Sequence, residues 1–462
     1  MDPQSRLLWI NGDPGKGKTM LMCGIIDEVV QEDRTMCYFF CQAADANINN
    51  ATAVVRSVIS MLADQHPSLV TYVREKYDQA GGRLLRNVNT WDALSSITAS
   101  MFQDPCLQKT GVTVAIDALD ECITDLDLLL QFIAQKSIEH ANVKWIVSSR
   151  NWPNIESALR DAAQGLSLAL NQDSVSAAIS IYIETQVTKL SKQNRYSQQT
   201  EDAVRHYLEI NANGTFLWVA LVCKELADVP DWEETEEIMK LFPPGLDALY
   251  SRMMNQILLS RHAKLCRGIL ASTLLIYRPI TLDELPACAD IPPRACGNDD
   301  SLKQIIGLCG SFLALRDRTI FFIHQSAKDF LLEKMSSEIF PLGMQETQYT
   351  LYTKSLQLMS KVLRRNIYGL DSHGVSIEQV SRQHADPLTA VRYSCVYWID
   401  HFSGCNQNNR ADRDFQEGGL IDIFLREKYL YWLEALSHLK SIPEGMASMS
   451  KLERLFRVRS AA

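Results

Sequence analysis

Over the first 170 positions the hydrophobic residues fall in short, unbroken runs. Leu7–Ile10, Met36–Cys41, Val112–Ile116, Lys144–Ser148 and Leu166–Leu170 predict strands. Runs that are apolar throughout, without alternation, suit parallel strands buried on both faces. Between them Thr52–Gln65, Trp91–Gln103 and Leu126–His140 carry helical spacing. The pattern predicts an α/β layered domain, with a parallel sheet between helices, over residues 1–170.

Beyond residue 170 the strand signal fades. Asp173–Lys189 reads as a capped helix, with Ser174 near its start and Val175, Ala178, Ile179, Tyr182 and Ile183 on one face. Glu201–Ile210 and Phe216–Leu226 follow, then the acidic stretch Pro230–Glu237. Phe242-Pro243-Pro244-Gly245 reads as a boundary, because proline and glycine end helices. Residues 171–245 are therefore expected to form a helical domain. The next unit, 246–335, holds helices and then Tyr277–Leu285, a proline followed by a Thr-capped short helix. Phe312–Leu315 and Thr319–Ile323 are spaced as a hairpin around Arg316-Asp317-Arg318. Helix, helix and hairpin are the content of a winged helix. Residues 336–462 read as mainly helical, with Tyr393, Tyr397, Trp398 and Phe402 at helical spacing as core. No internal repeat is evident.

One segment carries specific chemistry. Leu7–Ile10 leads into Gly12-Asp13-Pro14-Gly15-Lys16-Gly17-Lys18-Thr19, and a helical stretch begins at Met20. This G-x-x-x-x-G-K-T between strand and helix is the setting of a phosphate-binding loop. Its glycines let backbone N–H groups face an anion, and the new helix aims its positive dipole end at the same oxygens. Gly12 through Met20 are the candidate nucleotide contacts. Lys18 is expected at the β- and γ-phosphates, and the Thr19 hydroxyl at Mg²⁺.

Two later strand ends fit the same chemistry. Val112–Ile116 runs into Asp117-Ala118-Leu119-Asp120-Glu121. An Asp at that strand end holds Mg²⁺ in phosphate-loop folds, which assigns the role to Asp117. Glu121, with Asp120 as the alternative, is the candidate to polarise an attacking water. Lys144–Ser148 ends in Ser149 and Arg150. An arginine at the carboxyl edge of a sheet faces the ligand crevice, so Arg150 is the candidate sensor of the γ-phosphate.

Composition narrows the classes without adding chemistry. A chain of 462 residues, 46% hydrophobic and 22% charged, is ordinary for several globular domains. A net charge of −9 gives no general basic field, so nucleic acid is not expected as a partner. The 12 cysteines show no C-x-x-C pair or zinc spacing and read as core thiols of a reducing compartment. No apolar run approaches a membrane span, and no leader pattern is seen, so an intracellular, cytoplasmic setting is expected.

Together, Gly12–Thr19, Asp117–Glu121 and Ser148–Arg150 resemble the NACHT branch of STAND NTPases, most of all the fungal NOD-like receptors related to vegetative incompatibility proteins. Gly245–Tyr250, Tyr277–Leu285, Phe321–Leu331, Arg392–Cys395 and Lys428–Leu436 match further blocks of that family. The resemblance implies a P-loop NTPase with its sensor strand between the two Walker strands, then a helical domain, a winged helix and a second helical domain. It implies a slow nucleoside triphosphatase that acts as a switch in fungal innate immunity or heterokaryon incompatibility. ADP or GDP would hold the resting form, with His324 at the β-phosphate, and ATP or GTP would favour an open, self-associating form. Gly214-Thr215-Phe216 places phenylalanine where animal relatives often have a proline near the base, which leaves ATP and GTP both open. The family usually carries an N-terminal effector and C-terminal repeats. Only six residues precede the first strand, so this stretch reads as a switch core without its output or sensor. A turnover P-loop ATPase or kinase, and a nucleotide-inactive adaptor or decoy, are the alternative readings.

Overall fold

The computed structural model describes residues 6–31, 34–80, 90–160, 162, 164–167, 172–229, 232–370, 386–405 and 413–460. It divides after Leu249 into two compact units. Among the described residues, no helix is long and apolar enough to cross a membrane.

The first unit runs β1 (Leu7–Asn11), α1 (Lys18–Gln31), β2 (Thr35–Phe40), α2 (Ala51–Gln65), α3 (Val70–Ala80), α4 (Thr90–Phe102), α5 (Pro105–Thr110), β3 (Val112–Asp117), α6 (Leu126–Glu139), β4 (Val143–Ser149), α7 (Pro153–Leu159) and β5 (Gln164–Ser167). The strands form one parallel sheet in the order β2-β3-β4-β1-β5. Every residue of β3 is buried, as a central strand covered on both faces requires. The core beneath is mainly aliphatic, with one aromatic cluster. Trp145 is fully buried, and Phe102 and Phe132 each meet it edge-on at 6.1 Å. Because β4 lies between β1 and β3, the carboxyl ends of these strands come together, the crevice where open α/β sheets bind ligands.

Helices α8 (Gln172–Asn194), α9 (Gln198–Asn211), α10 (Phe216–Ala227) and α11 (Trp232–Met239) complete this unit, with α12 (Leu246–Leu259) beginning in it. Ser197 caps α9 by accepting from the Thr200 N–H at 3.1 Å. The Phe242–Gly245 segment is stitched onto its neighbours. Phe242 O accepts from the Tyr207 hydroxyl at 2.5 Å, and Pro243 O from Trp218 Nε1 at 2.9 Å.

Several expectations need correction here. The second strand is Thr35–Phe40 and stops short of Cys41. The fifth is Gln164–Ser167; of the expected Leu166–Leu170, positions 168–170 lie outside the described residues. Ser174 stands inside α8, which already begins at Gln172, so it is not the entry cap. Ile179 and Ile183 are buried on α8, but Ala178 is exposed.

The second unit holds the rest of α12, then α13 (Ala263–Leu275), β6 (Ile280–Thr281), α14 (Leu285–Cys288), α15 (Asp299–Gly307), β7 (Leu313–Arg316), β8 (Thr319–Phe322), α16 (Gln325–Glu333), α17 (Ser336–Ile339), α18 (Met344–Val362), α19 (Arg392–Gly404), α20 (Leu420–His438) and α21 (Ile442–Ser460). The expected hairpin is present as β7 and β8. Asp317 (φ 46°) and Arg318 (φ 67°) form its two-residue turn, both left-handed as a tight hairpin demands. β6 was not foreseen: it adds a third antiparallel strand beside β8. It also displaces the expected Thr cap. Thr281 is in the strand, its N–H donates to the Glu284 carboxylate at 2.9 Å, and α14 starts only at Leu285. Tyr393, Trp398 and Phe402 are core, as the spacing predicted, with Trp398 and Phe402 packed on Tyr352 and Trp398 also on Trp432; Tyr397, expected with them, is only half-buried and stacks on Tyr277.

Candidate functional site

The loop after β1 is shaped for an anion. Gly15 (φ 76°) and Gly17 (φ 84°) both adopt left-handed backbone, which only glycine takes without strain. Such alternation turns successive N–H groups to one side. The helix then starts at once with Lys18 and Thr19, so its uncapped N–H groups point at the same place. Lys18 Nζ folds over the loop and donates to Gly12 O at 2.6 Å and Asp13 O at 3.0 Å. Burial lowers its pKa, opposed by the charge of Asp120 and, beyond it, Asp117. Met20, at the far side of the first turn, is exposed.

Asp117 closes the site from the tip of β3. Its Oδ2 accepts from the Thr19 hydroxyl at 2.7 Å, and its Oδ1 from the Ser148 hydroxyl at 2.5 Å. Ser148 comes from β4, and its oxygen accepts the Ala118 N–H at 2.9 Å. Burial pushes the Asp117 pKa up, and the two hydroxyl donors and Lys18 pull against it. A hydroxyl beside a carboxylate is a hard oxygen pair that suits Mg²⁺, whose other positions are commonly filled by water and phosphate oxygens. Thr19 and Asp117 therefore fit that ion. Among the described residues no cluster of three or more His, Cys, Asp or Glu forms a metal cage.

The chain then turns sharply at Ala118 (φ 56°) into a short 3₁₀ turn, Leu119–Glu121. This turn sends its two acids to different partners. Asp120 pairs with Arg150: Oδ2 lies 3.0 Å from the guanidinium Nε, and Oδ1 accepts the Arg150 N–H at 3.0 Å. Glu121 Oε2 accepts the Ala43 N–H at 3.0 Å. Glu121 as a whole is only partly covered, but its carboxyl end is enclosed, and that burial pushes its pKa up to about 7. The fold thus gathers Lys18, Thr19, Asp117, Asp120, Glu121 and Arg150 at one sheet edge. Ser148 is a partner of Asp117 that the sequence reading passed over, although it stood in the Ser148–Arg150 run.

A second group was visible in the sequence only through the resemblance, which set Gly214-Thr215-Phe216 near the base. The turn between α9 and α10 grips the phosphate loop. Lys16 Nζ donates to Asn213 O at 2.7 Å. A Cβ on Gly15 would lie 2.9 Å from Thr215 Cγ2, and one on Gly17 would lie 3.1 Å from the Phe216 ring. Lys16, expected at the nucleotide, is engaged with backbone instead. The sequence reading placed Phe216 near the base but did not place it, or Thr215, against the glycines of the loop.

His324 belongs to the second unit. It is the N-cap of α16: Nδ1 accepts the Ser326 N–H at 3.1 Å and pairs with the Ser326 hydroxyl at 2.8 Å. Tyr250 holds that hydroxyl at 3.0 Å.

Residues 1–150 match the family model described as nephrocystin 3, N-terminal. The vegetative incompatibility protein HET-E-1 of Podospora anserina is 47% identical over 97% of this chain. The chain spans about a third of that relative's length, 34%. Among solved structures, a Walker-type ATPase of Pyrococcus abyssi is 13% identical with a TM-score of 0.33, covering 71% of this chain and 91% of its own. A Drosophila ORC structure bound to DNA is 12% identical with a TM-score of 0.32, covering 71% and 89%. Likenesses that faint add nothing to what the sheet order and the loop already give. At 47% identity over 97% of its length, the chain is a NACHT-type, NOD-like-receptor-like protein similar to fungal vegetative incompatibility proteins.

Proposed function

We propose that this chain is a nucleotide-controlled switch that binds ATP or GTP with Mg²⁺, hydrolyses it slowly, and serves fungal self-recognition or innate immunity. What supports the reading most is the convergence of Lys18, Thr19 and Asp117 around a left-handed glycine loop. In this reading the backbone of Gly12 through Met20 surrounds the phosphates, with the Lys16 side chain turned away to Asn213 O and Lys18 swinging from the loop carbonyls to the β- and γ-oxygens. Mg²⁺, held by Thr19 and Asp117, supplies charge neutralisation on the phosphates. Glu121, with its carboxyl near 7, is poised to take a proton from water, because a base works best with a pKa near the working pH. Asp120 orients Arg150.

The switch itself needs four parts: a nucleotide-binding domain (1–170), a helical domain (171–245), a winged helix (246–335) and a second helical domain (336–462). Diphosphate, contacted by His324, would favour a closed form, and triphosphate an open, self-associating one. Moving such an equilibrium from mostly closed to mostly open takes roughly 5 kcal/mol of differential binding. One charged contact contributes on the order of 1.5–3 kcal/mol, so His324 would be one part of several.

The test is to denature the purified protein and identify any released nucleotide by chromatography, beside Lys18→Ala. Stoichiometric ADP or GDP in the wild type and none in the variant supports the switch and fixes the base. A wild type that is empty and takes up no added nucleotide refutes it. His324→Leu should then shift the size distribution upward in light scattering.

A further inference from the structure

Lys16 sits between two left-handed glycines, Gly15 and Gly17, and its ammonium leaves the loop altogether to meet Asn213 O at 2.7 Å. The acceptor is not incidental. α9 ends at Asn211, and Asn213 (φ 47°) and Gly214 (φ 67°) are consecutive left-handed residues that reverse the chain into α10. This reversal is closed by Thr215 N–H donating to Ala212 O at 2.9 Å. The ammonium therefore lies beyond the carboxyl end of α9, where the helix dipole favours a cation. A lysine–carbonyl bond of this length is charge-assisted.

Three further contacts fit the turn to the loop. Thr215 Cγ2 lies 2.9 Å and Leu217 Cβ 3.0 Å from where a Gly15 Cβ would be. The Phe216 ring lies 3.1 Å from a Gly17 Cβ. In the other direction, Lys16 Nζ lies 2.9 Å from where a Gly214 Cβ would be. Each of the three glycines is thus hemmed in by the opposite segment, and each has a positive φ. Phe216 is itself backed by the edge of Tyr182 from α8, with ring centroids 5.5 Å apart. The phosphate loop and the α9–α10 turn interlock.

We infer that Lys16 is a latch: a positioning residue that fastens the phosphate loop to the α9–α10 turn and slows nucleotide release, and not a phosphate ligand. A preorganised loop loses less freedom when it closes on an anion, and opening it to release the anion breaks the latch. Lys18 is then the one ammonium of the loop turned to its interior. The effect on release rests on the nucleotide reading above; the interlock does not.

The test compares wild type with Lys16→Met, Lys16→Arg and Lys18→Ala. Hydrogen exchange at residues 213–219 is measured in nucleotide-free protein, and dissociation of fluorescent ADP and GDP is measured with Mg²⁺. Lys16→Met should raise exchange in that segment and speed release roughly tenfold, the scale of one hydrogen bond to a charged group. Lys16→Arg, which can still donate to Asn213 O, should restore both. Lys18→Ala should abolish binding with exchange at 213–219 unchanged. Weaker binding in Lys16→Met with unchanged exchange would make Lys16 a phosphate ligand and overturn the latch. Unchanged exchange and unchanged release would overturn it too. If Lys16→Met does not fold, Gly214→Ala attacks the same contact from the other side, with the same expectations. A wild type that binds neither nucleotide sinks the proposed function, while the exchange comparison still decides the interlock.

Discussion

The Thr19 hydroxyl donates to Asp117 Oδ2 at 2.7 Å, joining the first turn of α1 to the tip of β3 across 98 positions of sequence. The second carboxylate oxygen is taken by Ser148 from β4. Two hydroxyls on neighbouring elements thus hold the Asp117 carboxylate, although its burial disfavours the charge. A buried carboxylate whose desolvation is opposed by two hydroxyl donors and a lysine is preorganised for a cation.

Asp117→Asn separates these two effects. The amide keeps the shape and can accept from Ser148, while Thr19 can turn its hydroxyl to accept from the new N–H. Because the buried charge is gone, the nucleotide-free variant should melt at or above the wild-type temperature. The Mg²⁺-dependent part of nucleotide affinity should fall at least about tenfold, as expected for losing a charge-assisted contact. Calorimetric titration with and without Mg²⁺, beside a thermal melt, checks both. A variant that loses stability and keeps its Mg²⁺ dependence would place the ion elsewhere.

Glu121 makes a prediction about pH. Its pKa rises from an ordinary 4.5 to about 7, chiefly through burial. Between those values the folded chain binds more protons than the unfolded chain, so this residue lowers stability as pH rises, and the loss is complete above about 7. Glu121→Gln keeps an oxygen for the Ala43 N–H and removes the titration. At pH 8 the variant should be more stable by up to roughly 3 kcal/mol, and at pH 4, below both pKa values, nearly equal to wild type. Urea midpoints at both values measure this. Hydrolysis, where wild type shows it, should be lost in the same variant.

These acids were legible in the sequence because each is local to a strand end. Gly12–Thr19 and Asp117–Glu121 carry their chemistry in adjacent residues, and continuous apolar runs are enough to place them at a parallel sheet edge. What stayed hidden depends on distant backbone. Nothing in Lys16 or Asn213 announces a bond across 197 positions to a main-chain carbonyl. β6 has two residues, too few for any periodicity. Ser174 looked like a cap because side-chain type was visible and the helix start at Gln172 was not. Arg150 was legible as an arginine at a strand end, and the resemblance set its strand beside β3; its pairing with Asp120 depends on the left-handed turn at Ala118, which the sequence does not announce.

The contact between Gly17 and Phe216 can be measured by a mutant cycle. Gly17→Ala should cost on the order of 1–2 kcal/mol for left-handed backbone alone. It should cost more because the new Cβ meets the Phe216 ring at 3.1 Å. Phe216→Ala relieves only the second part. The double variant should therefore be less destabilised than the sum of the single ones by about 0.5 kcal/mol or more, the range typical of residues in contact. Strict additivity in chemical denaturation would mean that the ring yields freely and does not brace the loop.

In the second unit, Glu284 explains what the Tyr277–Leu285 stretch is for. It is 1% exposed. Its carboxylate accepts from Arg278 Nη2 at 2.6 Å and Nη1 at 3.0 Å, from the Thr281 N–H at 2.9 Å and from the Tyr393 N–H at 3.0 Å. One buried side chain therefore fixes β6, the turn into α14 and the first residues of α19. The Arg278 guanidinium also lies over the Tyr393 ring, 5.3 Å from its centroid. Glu284→Ala leaves that largely covered guanidinium without its counter-ion, with only Pro279 O still accepting from it, and strips two N–H groups of their acceptor, so it should cost about 3 kcal/mol. Glu284→Gln, whose amide oxygen still accepts, should cost less. Replacing both partners, Arg278→Met with Glu284→Met, removes the stranded charge and should recover much of the loss. Denaturant titrations of the three variants decide the point. If the double replacement is as damaging as Glu284→Ala, the two backbone N–H groups, not the ion pair, hold this corner of the fold.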